Sequence, residues 1–189
     1  ETEILVEQVI DLAKTTGAKS MLDIGTGSGN ISVSLTKLLH DVHIESIDVS
    51  KDAIDVARQN ASIHNVEDRI HFINADVHSY TDHLKRQSYD IIVSNPPYIS
   101  SSEFLSLAPE VTDYEPKIAT TDNSDGLTFY RLIQSAGKEL LCQDGWIAVE
   151  VAYNQSEEVK QLFASAGYKD IETIPDYGGI ERVVKARLP

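Results

Sequence analysis

Residues 20–30 read Ser-Met-Leu-Asp-Ile-Gly-Thr-Gly-Ser-Gly-Asn, an apolar run that leads directly into a glycine-rich loop. The run predicts a buried β-strand over residues 20–24. The glycines at 25, 27 and 29 predict a turn in which the backbone adopts positive φ angles and can approach a ligand closely. A helical pattern follows, and three apolar residues are expected on its buried face: Ile31, Leu35 and Leu38. This strand–loop–helix unit favours an α/β protein with a mostly parallel sheet.

The alternation of apolar runs with helical patterns continues on both sides of this unit. A helix with Leu5, Val9 and Leu12 on one face precedes it. Further strands are predicted at residues 42–47, 70–73, 89–93, 146–151, 171–174 and 183–186. Further helices are predicted after Ser50 as N-cap, at 127–141 and at 156–166. The tight turn at 176–179 suits an antiparallel pair, so the sheet is expected to be mixed at its C-terminal edge.

Length, charge and cysteine content restrict the class of protein. The 189 residues fit one domain spanning 1–189. The chain carries 30 acidic and 16 basic residues, a net charge of −14, which makes it a poor ligand for a phosphate backbone. Direct binding of nucleic acid is therefore not expected. Cys142 is the only cysteine, which excludes an internal disulfide and favours a reducing, cytoplasmic compartment. No apolar run is long enough to span a membrane.

The predicted strands end in residues that are typical of a ligand site. In open α/β sheets, ligands bind beyond the carboxyl ends of the strands. The glycine loop departs from the G-x-G-x-x-G pattern of dinucleotide enzymes because Asn30 takes the third glycine's position. It also lacks the Lys-Ser/Thr pair of a phosphate-binding P-loop. The loop, which comprises Gly25, Thr26, Gly27, Ser28 and Gly29, therefore favours a nucleoside ligand without a pyrophosphate; an ordinary strand-to-helix turn is the alternative.

Two aspartates extend this site. Asp48 ends the second predicted strand, where its carboxylate can accept both hydroxyl groups of a ribose. Asp76 ends the third, where it can accept a hydrogen bond from an exocyclic amine such as that of adenine, with Val77 as donor and apolar wall. The alternatives are a solvated aspartate at position 48 and a helix cap at position 76.

The tetrapeptide Asn95-Pro96-Pro97-Tyr98 follows the fourth predicted strand. Two consecutive prolines remove two backbone donors and restrict φ, which leaves carbonyl groups in a preset geometry. The Asn95 side-chain oxygen and the Pro96 carbonyl can each accept one N–H of an amide or amine and aim its nitrogen at an electrophilic methyl group. Tyr98 can pack against the planar target group. A rigid turn that leaves the sheet is the alternative.

Two further expectations concern the rest of the chain. The irregular segment at residues 99–126 is rich in polar residues, which is typical of a functional loop, and we expect it to order around a substrate. No metal site is expected, because the six histidines show no metal-ligand spacing with cysteine or carboxylate partners: His40, His43, His64, His71, His78 and His83.

Taken together, these motifs resemble the HemK/PrmC family of protein-glutamine N5-methyltransferases, which act on peptide chain release factors. The resemblance rests on residues 23–29, 94–99, Glu115-Pro116 and Asp125-Gly126-Leu127, and it extends from Glu1-Thr2-Glu3 to residues 182–184. Asn-Pro-Pro-Tyr alone is shared with adenine-N6 DNA methyltransferases, whereas the combination is more specific. Ala152 and Ala119-Thr120 depart from the usual family pattern. Neither departure falls within the Asn-Pro-Pro-Tyr segment, where methyl transfer is expected.

The resemblance implies a class I, Rossmann-like methyltransferase fold with seven strands and an antiparallel C-terminal strand. It implies that S-adenosylmethionine contacts the glycine loop, Asp48, Val77 and Asn95. It also implies that residues 95–98 bind the glutamine of a Gly-Gly-Gln loop in a release factor. In bacterial members a helical domain precedes the Glu-Thr-Glu segment, so this chain is expected to correspond to the catalytic part.

Three other functions remain open from the residues. The first is methylation of adenine N6 or guanine N2 in nucleic acid, which the charge of −14 disfavours. The second is a non-catalytic module that binds S-adenosylmethionine, which would have no use for the acceptors at Asn95 and Pro96. The third is an NAD-dependent dehydrogenase, which Asn30 disfavours.

Overall fold

The computed structural model describes residues 2–101, 121–122 and 124–189. The helices are α1 (Thr2–Thr16), α2 (Asn30–Leu38), α3 (Lys51–Ile63), α4 (Val77–Tyr80), α5 (Thr128–Leu140) and α6 (Ser156–Ser165). The strands are β1 (Ser20–Ile24), β2 (His43–Asp48), β3 (Ile70–Asn74), β4 (Tyr89–Ser94), β5 (Leu141–Glu150), β6 (Lys169–Pro175) and β7 (Glu181–Arg187). Short 3₁₀ turns lie at Glu67–Arg69 and Thr81–His83.

All seven strands form one sheet in the order β3-β2-β1-β4-β5-β7-β6. Strands β1 to β5 are all parallel to one another, whereas β7 is antiparallel to both β5 and β6. The chain runs outward from β1 to β3 and then returns to place β4 on the other side of β1. This reversal is the point at which open α/β sheets bind ligands. The predicted α/β class and the mixed C-terminal edge are confirmed.

Apolar side chains cover both faces of the sheet, because the side chains of successive strand residues point to opposite faces. In β1, Leu22 joins the core cluster beneath α5 and α6, and Met21 joins the cluster beneath α1 and α2. In β4, Ile92 joins the cluster beneath α5 and α6, and Ile91 joins the cluster beneath α1 and α2. Strands that are buried on both faces are typical of parallel sheets with helices on each side.

The predicted bounds of β5 are wrong at its beginning. The helix α5 ends at Leu140, and β5 begins at Leu141 rather than near residue 146. Leu141 pairs with Tyr89, and the register then shifts before the next pairs form. Asp144 lies within this irregular part with a φ of +63°. The polar residues of the irregularity break the apolar alternation, so the sequence pattern did not reveal this first part of the strand.

The prediction that Leu38 is buried is also wrong, because 59% of its surface is exposed. Leu38 is the last residue of α2, and the chain becomes extended at Leu39. Leu39 packs against the cluster under α1 and α2 instead. The predictions for Ile31 and Leu35 are confirmed. Ser50 caps α3 as predicted, with its hydroxyl oxygen accepting from the Ala53 N–H at 3.2 Å. Within the described residues, no helix has the length and apolarity needed to cross a membrane.

Gly137 in α5 offers a test of packing between this helix and the sheet. A Cβ atom at position 137 would lie 2.7 Å from Ile147 Cδ1 and closer still to the Tyr168 hydroxyl, which donates to the Gln134 carbonyl in the same helix. We expect Gly137→Ala to lower the free energy of unfolding by about 1–3 kcal/mol through overpacking, although alanine is the better helix former. Chemical denaturation would measure this change.

Ser135→Ala is the matched control, since Ser135 is exposed in the same helix. Its effect is expected to be within about 0.5 kcal/mol. Equal stabilities of Gly137→Ala and the wild-type protein would contradict the proposed steric role of this glycine.

Candidate active site

The parallel register brings the carboxyl ends of four strands to one edge of the sheet. Ile24 of β1 pairs with Ile47 of β2, and Asp48 pairs with Asn74 of β3. On the other side of β1, the Ser94 hydroxyl donates to the Ile24 carbonyl oxygen at 2.6 Å. The glycine loop after Ile24 and the Asn-Pro-Pro-Tyr turn after Ser94 therefore begin side by side.

The glycine loop leaves open space in front of two of its glycines. Gly25 and Gly27 have φ angles of +73° and +56°, and a Cβ atom built at either position would meet no atom of the described residues within 4 Å. Gly29 differs, because its Cβ atom would lie 3.0 Å from Ala57 Cβ in α3. The first two glycines thus create a shallow cradle in which a ligand can contact the backbone, whereas the third allows α2 and α3 to pack closely.

Asp48 organises the edge of this cradle. Its Oδ2 accepts from the Gly27 N–H and its Oδ1 accepts from the Ser50 N–H, both at 2.8 Å. Each oxygen keeps a second lone pair, so the carboxylate can also accept from a ribose. Asn74 holds the adjacent backbone by donating to the carbonyl oxygens of Asp48 and Val49 at 3.0 and 2.9 Å. The ribose-binding role of Asp48 stays a prediction.

Asp76 acts as a helix cap in this structure. Its Oδ1 accepts from the His78 N–H at 2.9 Å at the start of α4. No hydrogen bond to its Oδ2 is formed by the described residues, so this exposed oxygen remains available to an amine. Val77, which is buried, packs in the core cluster beside it. The adenine-binding roles of Asp76 and Val77 stay predictions.

Asn95 is half-buried at the end of β4, and its carboxamide is held from the first residue of α1. The Asn95 Nδ2 group donates to Thr2 Oγ1 at 3.1 Å, and the Thr2 hydroxyl donates to Glu150 Oε2 at 2.8 Å. Glu150 ends β5 and is only 3% exposed. The sequence pattern assigned no role to Glu150, and it included Thr2 only in the Glu1-Thr2-Glu3 segment where the family resemblance begins.

A second set of contacts holds Tyr98. Gln155, which is buried just before α6, donates from Nε2 to the Tyr98 carbonyl oxygen at 2.9 Å and lies within 3.4 Å of the Gly126 carbonyl. Gly126 has a φ of +83°, and a Cβ atom there would lie 2.7 Å from the Tyr98 carbonyl oxygen. Asp125 accepts from the Leu127 N–H and pairs with Arg131, which lowers the pKa of its carboxyl to about 2. The Asp125-Gly126-Leu127 motif therefore supports the turn after β4.

The ends of the long loop meet next to Tyr98. Ile99 and Thr121 form an isolated parallel bridge, and the Ser101 N–H donates to the Ser124 carbonyl at 3.0 Å. Residues 102–120 lie outside the described part of the chain, and so do Glu115-Pro116 and Ala119-Thr120. Ordering of this loop around a substrate stays a prediction. Among the described residues, no group of three or more His, Cys, Asp or Glu side chains has the arrangement of a metal site.

Asp23 is a fully buried carboxyl directly beneath the glycine loop. Its Oδ2 accepts from the Thr26 hydroxyl at 2.6 Å and from the Ser32 hydroxyl, while its Oδ1 has no partner among the described residues. Desolvation raises the pKa of Asp23 to about 6, and the nearby charge of Asp48 acts in the same direction, whereas the two hydroxyl donors oppose it. The sequence pattern included Asp23 in the glycine-loop motif but did not reveal this buried network.

The chain is similar to known methyltransferases in both sequence and structure. Residues 15–167 match the methyltransferase domain family. The chain is 40% identical over 187 residues to the release factor glutamine methyltransferase of Fusobacterium nucleatum, a match that covers 99% of this chain and 52% of that protein. It is also 40% identical over 187 residues to the protein of the same description from Clostridium acetobutylicum, covering 98% of this chain and 65% of that one. The resemblance inferred from the motifs is confirmed.

The fold is shared with solved methyltransferase structures. A methyltransferase from Pyrococcus furiosus aligns with a TM-score of 0.65 at 17% identity, covering 96% of this chain and 82% of that one. At this level of identity, the likeness concerns the fold alone. The chain spans between about half and two thirds of the length of the two sequence relatives.

The buried carboxyl of Asp23 predicts a dependence of stability on pH. Below about pH 4 both the folded and the unfolded chain hold this proton, so burial carries no ionisation penalty. As the pH rises through about 4 to 6, the unfolded chain loses the proton first, and the folded state loses stability. We expect the free energy of unfolding of the wild type, relative to that of Asp23→Asn, to fall by about 3 kcal/mol across this window.

Urea denaturation at a series of pH values would measure this difference, because the asparagine variant does not titrate at position 23. Asp41→Asn, which removes an exposed carboxylate from a turn, controls for the change in net charge. If the difference in the free energy of unfolding between the wild type and Asp23→Asn stays constant from pH 4 to pH 7, burial does not shift the pKa of Asp23.

Proposed function

The chain belongs to the methyltransferase domain family, and on that basis we propose that it methylates the side-chain amide nitrogen (N5) of a glutamine in a peptide chain release factor, with S-adenosylmethionine as the methyl donor. The observation that carries the proposal is the hydrogen bond from the Ser94 hydroxyl to the Ile24 carbonyl. It joins the open glycine loop to the Asn-Pro-Pro-Tyr turn, so a ligand in the loop and a nitrogen at Asn95 are neighbours.

The residues present fit S-adenosylmethionine. The space in front of Gly25 and Gly27 admits a ligand against the backbone, and Asp48 offers free lone pairs beside it for a ribose. The free Oδ2 of Asp76 suits the exocyclic amine of adenine, and Val77 supplies an apolar contact. When bound, this cofactor supplies a methyl group on a positively charged sulfur.

The residues after β4 suit an amide nitrogen as acceptor of the methyl group. An amide is a poor nucleophile because its lone pair is delocalised. Asn95 Oδ1 and the Pro96 carbonyl each accept one N–H of the substrate amide, which orients the nitrogen and stabilises the positive charge that develops on it until one of these two protons is released to water. The Tyr98 ring packs on the planar substrate amide. The backbone carbonyl of Tyr98 accepts a hydrogen bond from Gln155. We assign no covalent or metal-bound intermediate to the reaction.

The protein substrate is proposed from the sequence relatives. Both are described as release factor glutamine methyltransferases, and their similarity extends over nearly the whole of this chain. The glutamine is proposed to be that of a Gly-Gly-Gln loop, which is small enough to reach a site at the edge of the sheet. The net charge of −14 disfavours a nucleic acid as the alternative substrate.

Transfer of a labelled methyl group tests this function directly. The protein is incubated with labelled S-adenosylmethionine and, separately, a release factor, a release factor with its Gly-Gly-Gln glutamine replaced, and DNA or RNA. We expect label only on the intact release factor, at the glutamine by mass spectrometry. Asn95→Ala should lower kcat about 100-fold or more, because one positioning acceptor is lost.

Label on nucleic acid alone would show that the substrate is a nucleic acid and not a release factor. Label at another residue of the release factor would show that the proposed glutamine is not the site of methylation. Near-native turnover by Asn95→Ala with saturating substrates would contradict the role of Asn95.

Asp48→Ala tests the cofactor site. We expect the affinity for S-adenosylmethionine to fall about 10- to 100-fold, because the variant loses a charged acceptor for the ribose together with the anchor of the Gly27 N–H. Titration calorimetry measures the affinity, and thermal unfolding shows that the fold is retained. The control is Asp52→Ala, since Asp52 is exposed in the first turn of α3. An unchanged Kd of Asp48→Ala for S-adenosylmethionine would show that Asp48 does not bind this cofactor.

A further inference from the structure

The Thr2 hydroxyl connects two side chains that lie 55 residues apart in the sequence, Asn95 and Glu150. It lies 3.1 Å from Asn95 Nδ2 and 2.8 Å from Glu150 Oε2. Among the described residues, Thr2 is the only partner of the Asn95 side chain that forms a hydrogen bond. The orientation of the Asn95 carboxamide therefore depends on this single contact.

The chemistry of the three groups determines the direction of both hydrogen bonds. The Thr2 hydroxyl donates its one proton to Glu150 Oε2. The hydroxyl oxygen can then only accept from Asn95, and the group that Asn95 turns toward it must be the NH₂ group. Asn95 Oδ1 consequently faces away from Thr2. This is the atom that the proposed reaction needs as an acceptor for the substrate amide.

We call this series of hydrogen bonds, from Asn95 through Thr2 to Glu150, the relay, and both Thr2 and Glu150 lie on elements that pack in the core. Thr2 is followed in α1 by Ile4 and Leu5, which are buried against the sheet and position the start of the helix. Glu150 is the last residue of β5, it is 3% exposed, and its backbone carbonyl accepts from the Tyr130 hydroxyl at 2.9 Å. The packing of these elements places the hydroxyl where the Asn95 amide requires it.

We propose that Thr2 is a positioning residue for methyl transfer: its hydroxyl, polarised by Glu150, selects the orientation of the Asn95 carboxamide in which the oxygen faces the substrate. The inference rests on the proposed function of Asn95 as the acceptor for the amide nitrogen. In the reversed orientation the NH₂ groups of Asn95 and of the substrate would face each other, and no hydrogen bond would form between them.

Substitution of Thr2 by residues of similar size tests the relay. Thr2→Val keeps the shape and removes the hydroxyl, and we expect kcat to fall about 10-fold while the Kd for S-adenosylmethionine stays within twofold. Thr2→Ser restores the hydroxyl and should recover kcat to within threefold of the wild type. Thr16→Val is the matched control in the same helix, where the hydroxyl bonds only to the Leu12 carbonyl. It should leave kcat unchanged.

Glu150→Gln separates orientation from simple structural support. A carboxamide at position 150 offers the Thr2 hydroxyl either an acceptor, which keeps the relay, or a donor, after which the hydroxyl can donate to Asn95 Oδ1 and reverse the relay. We therefore expect Glu150→Gln to lower kcat less than Thr2→Val does or not at all, because the carboxamide oxygen can take over the acceptor role. A loss of kcat in Glu150→Gln equal to or greater than that in Thr2→Val, with an unchanged unfolding temperature, would overturn the proposal.

A measurement independent of activity follows the Asn95 side chain itself. In protein labelled with ¹⁵N at asparagine, the Asn95 NH₂ signals are identified by their loss in Asn95→Ala. We expect these signals to shift, and their exchange with solvent to accelerate, in Thr2→Val, and to return in Thr2→Ser. Unchanged signals in Thr2→Val, or an equal loss of kcat in Thr2→Ser and Thr2→Val, would overturn the relay.

A failure of the proposed function can be distinguished from a failure of the inference about Thr2. If the wild-type protein leaves the release factor glutamine unmodified, the substrate assignment fails. The signals of Asn95 still decide whether Thr2 orients its carboxamide.

Discussion

The parallel pairing of β1 with β2 and β4 is the constraint on which the candidate site depends. Because these strands run in one direction, their carboxyl ends lie at one edge, and every loop that follows them begins there. The hydrogen bond between Ser94 and the Ile24 carbonyl then joins the two loops that matter most. The glycine loop and the Asn-Pro-Pro-Tyr turn are brought together by the sheet before either contributes a side chain.

The same edge concentrates negative charge close to the backbone of the glycine loop. Asp48 supports the loop from its side through the Gly27 N–H, and Asp23 supports it from beneath through the Thr26 hydroxyl. The two carboxyls differ in environment, since burial raises the pKa of Asp23 to about 6. The loop is therefore held by one half-buried and one fully buried acid.

Groups outside the sequence motifs determine the geometry within them. Asn95 is oriented by Thr2 at the start of α1, and the Tyr98 carbonyl is held by Gln155 before α6. These elements come from opposite ends of the chain and cover opposite faces of the sheet. The Asn-Pro-Pro-Tyr turn is consequently fixed from both sides. Precise placement of this kind is what the transfer of a methyl group to a weakly nucleophilic amide requires.

The amino-acid sequence by itself determined the fold class, the strand ends and the residues at them, because apolar periodicity and the spacing of glycines and prolines are local properties. It did not reveal the beginning of β5 at Leu141 or the exposure of Leu38, since a register irregularity and the end of a helix depend on neighbouring elements. The roles of Thr2 and Gln155 also required the tertiary structure. Thr2 is an ordinary polar residue at the start of a helix, Gln155 is one just before a helix, and only packing brings Thr2 to Asn95, 93 residues away in the chain. Hydrogen bonds between such distant residues leave no periodic signal in the sequence.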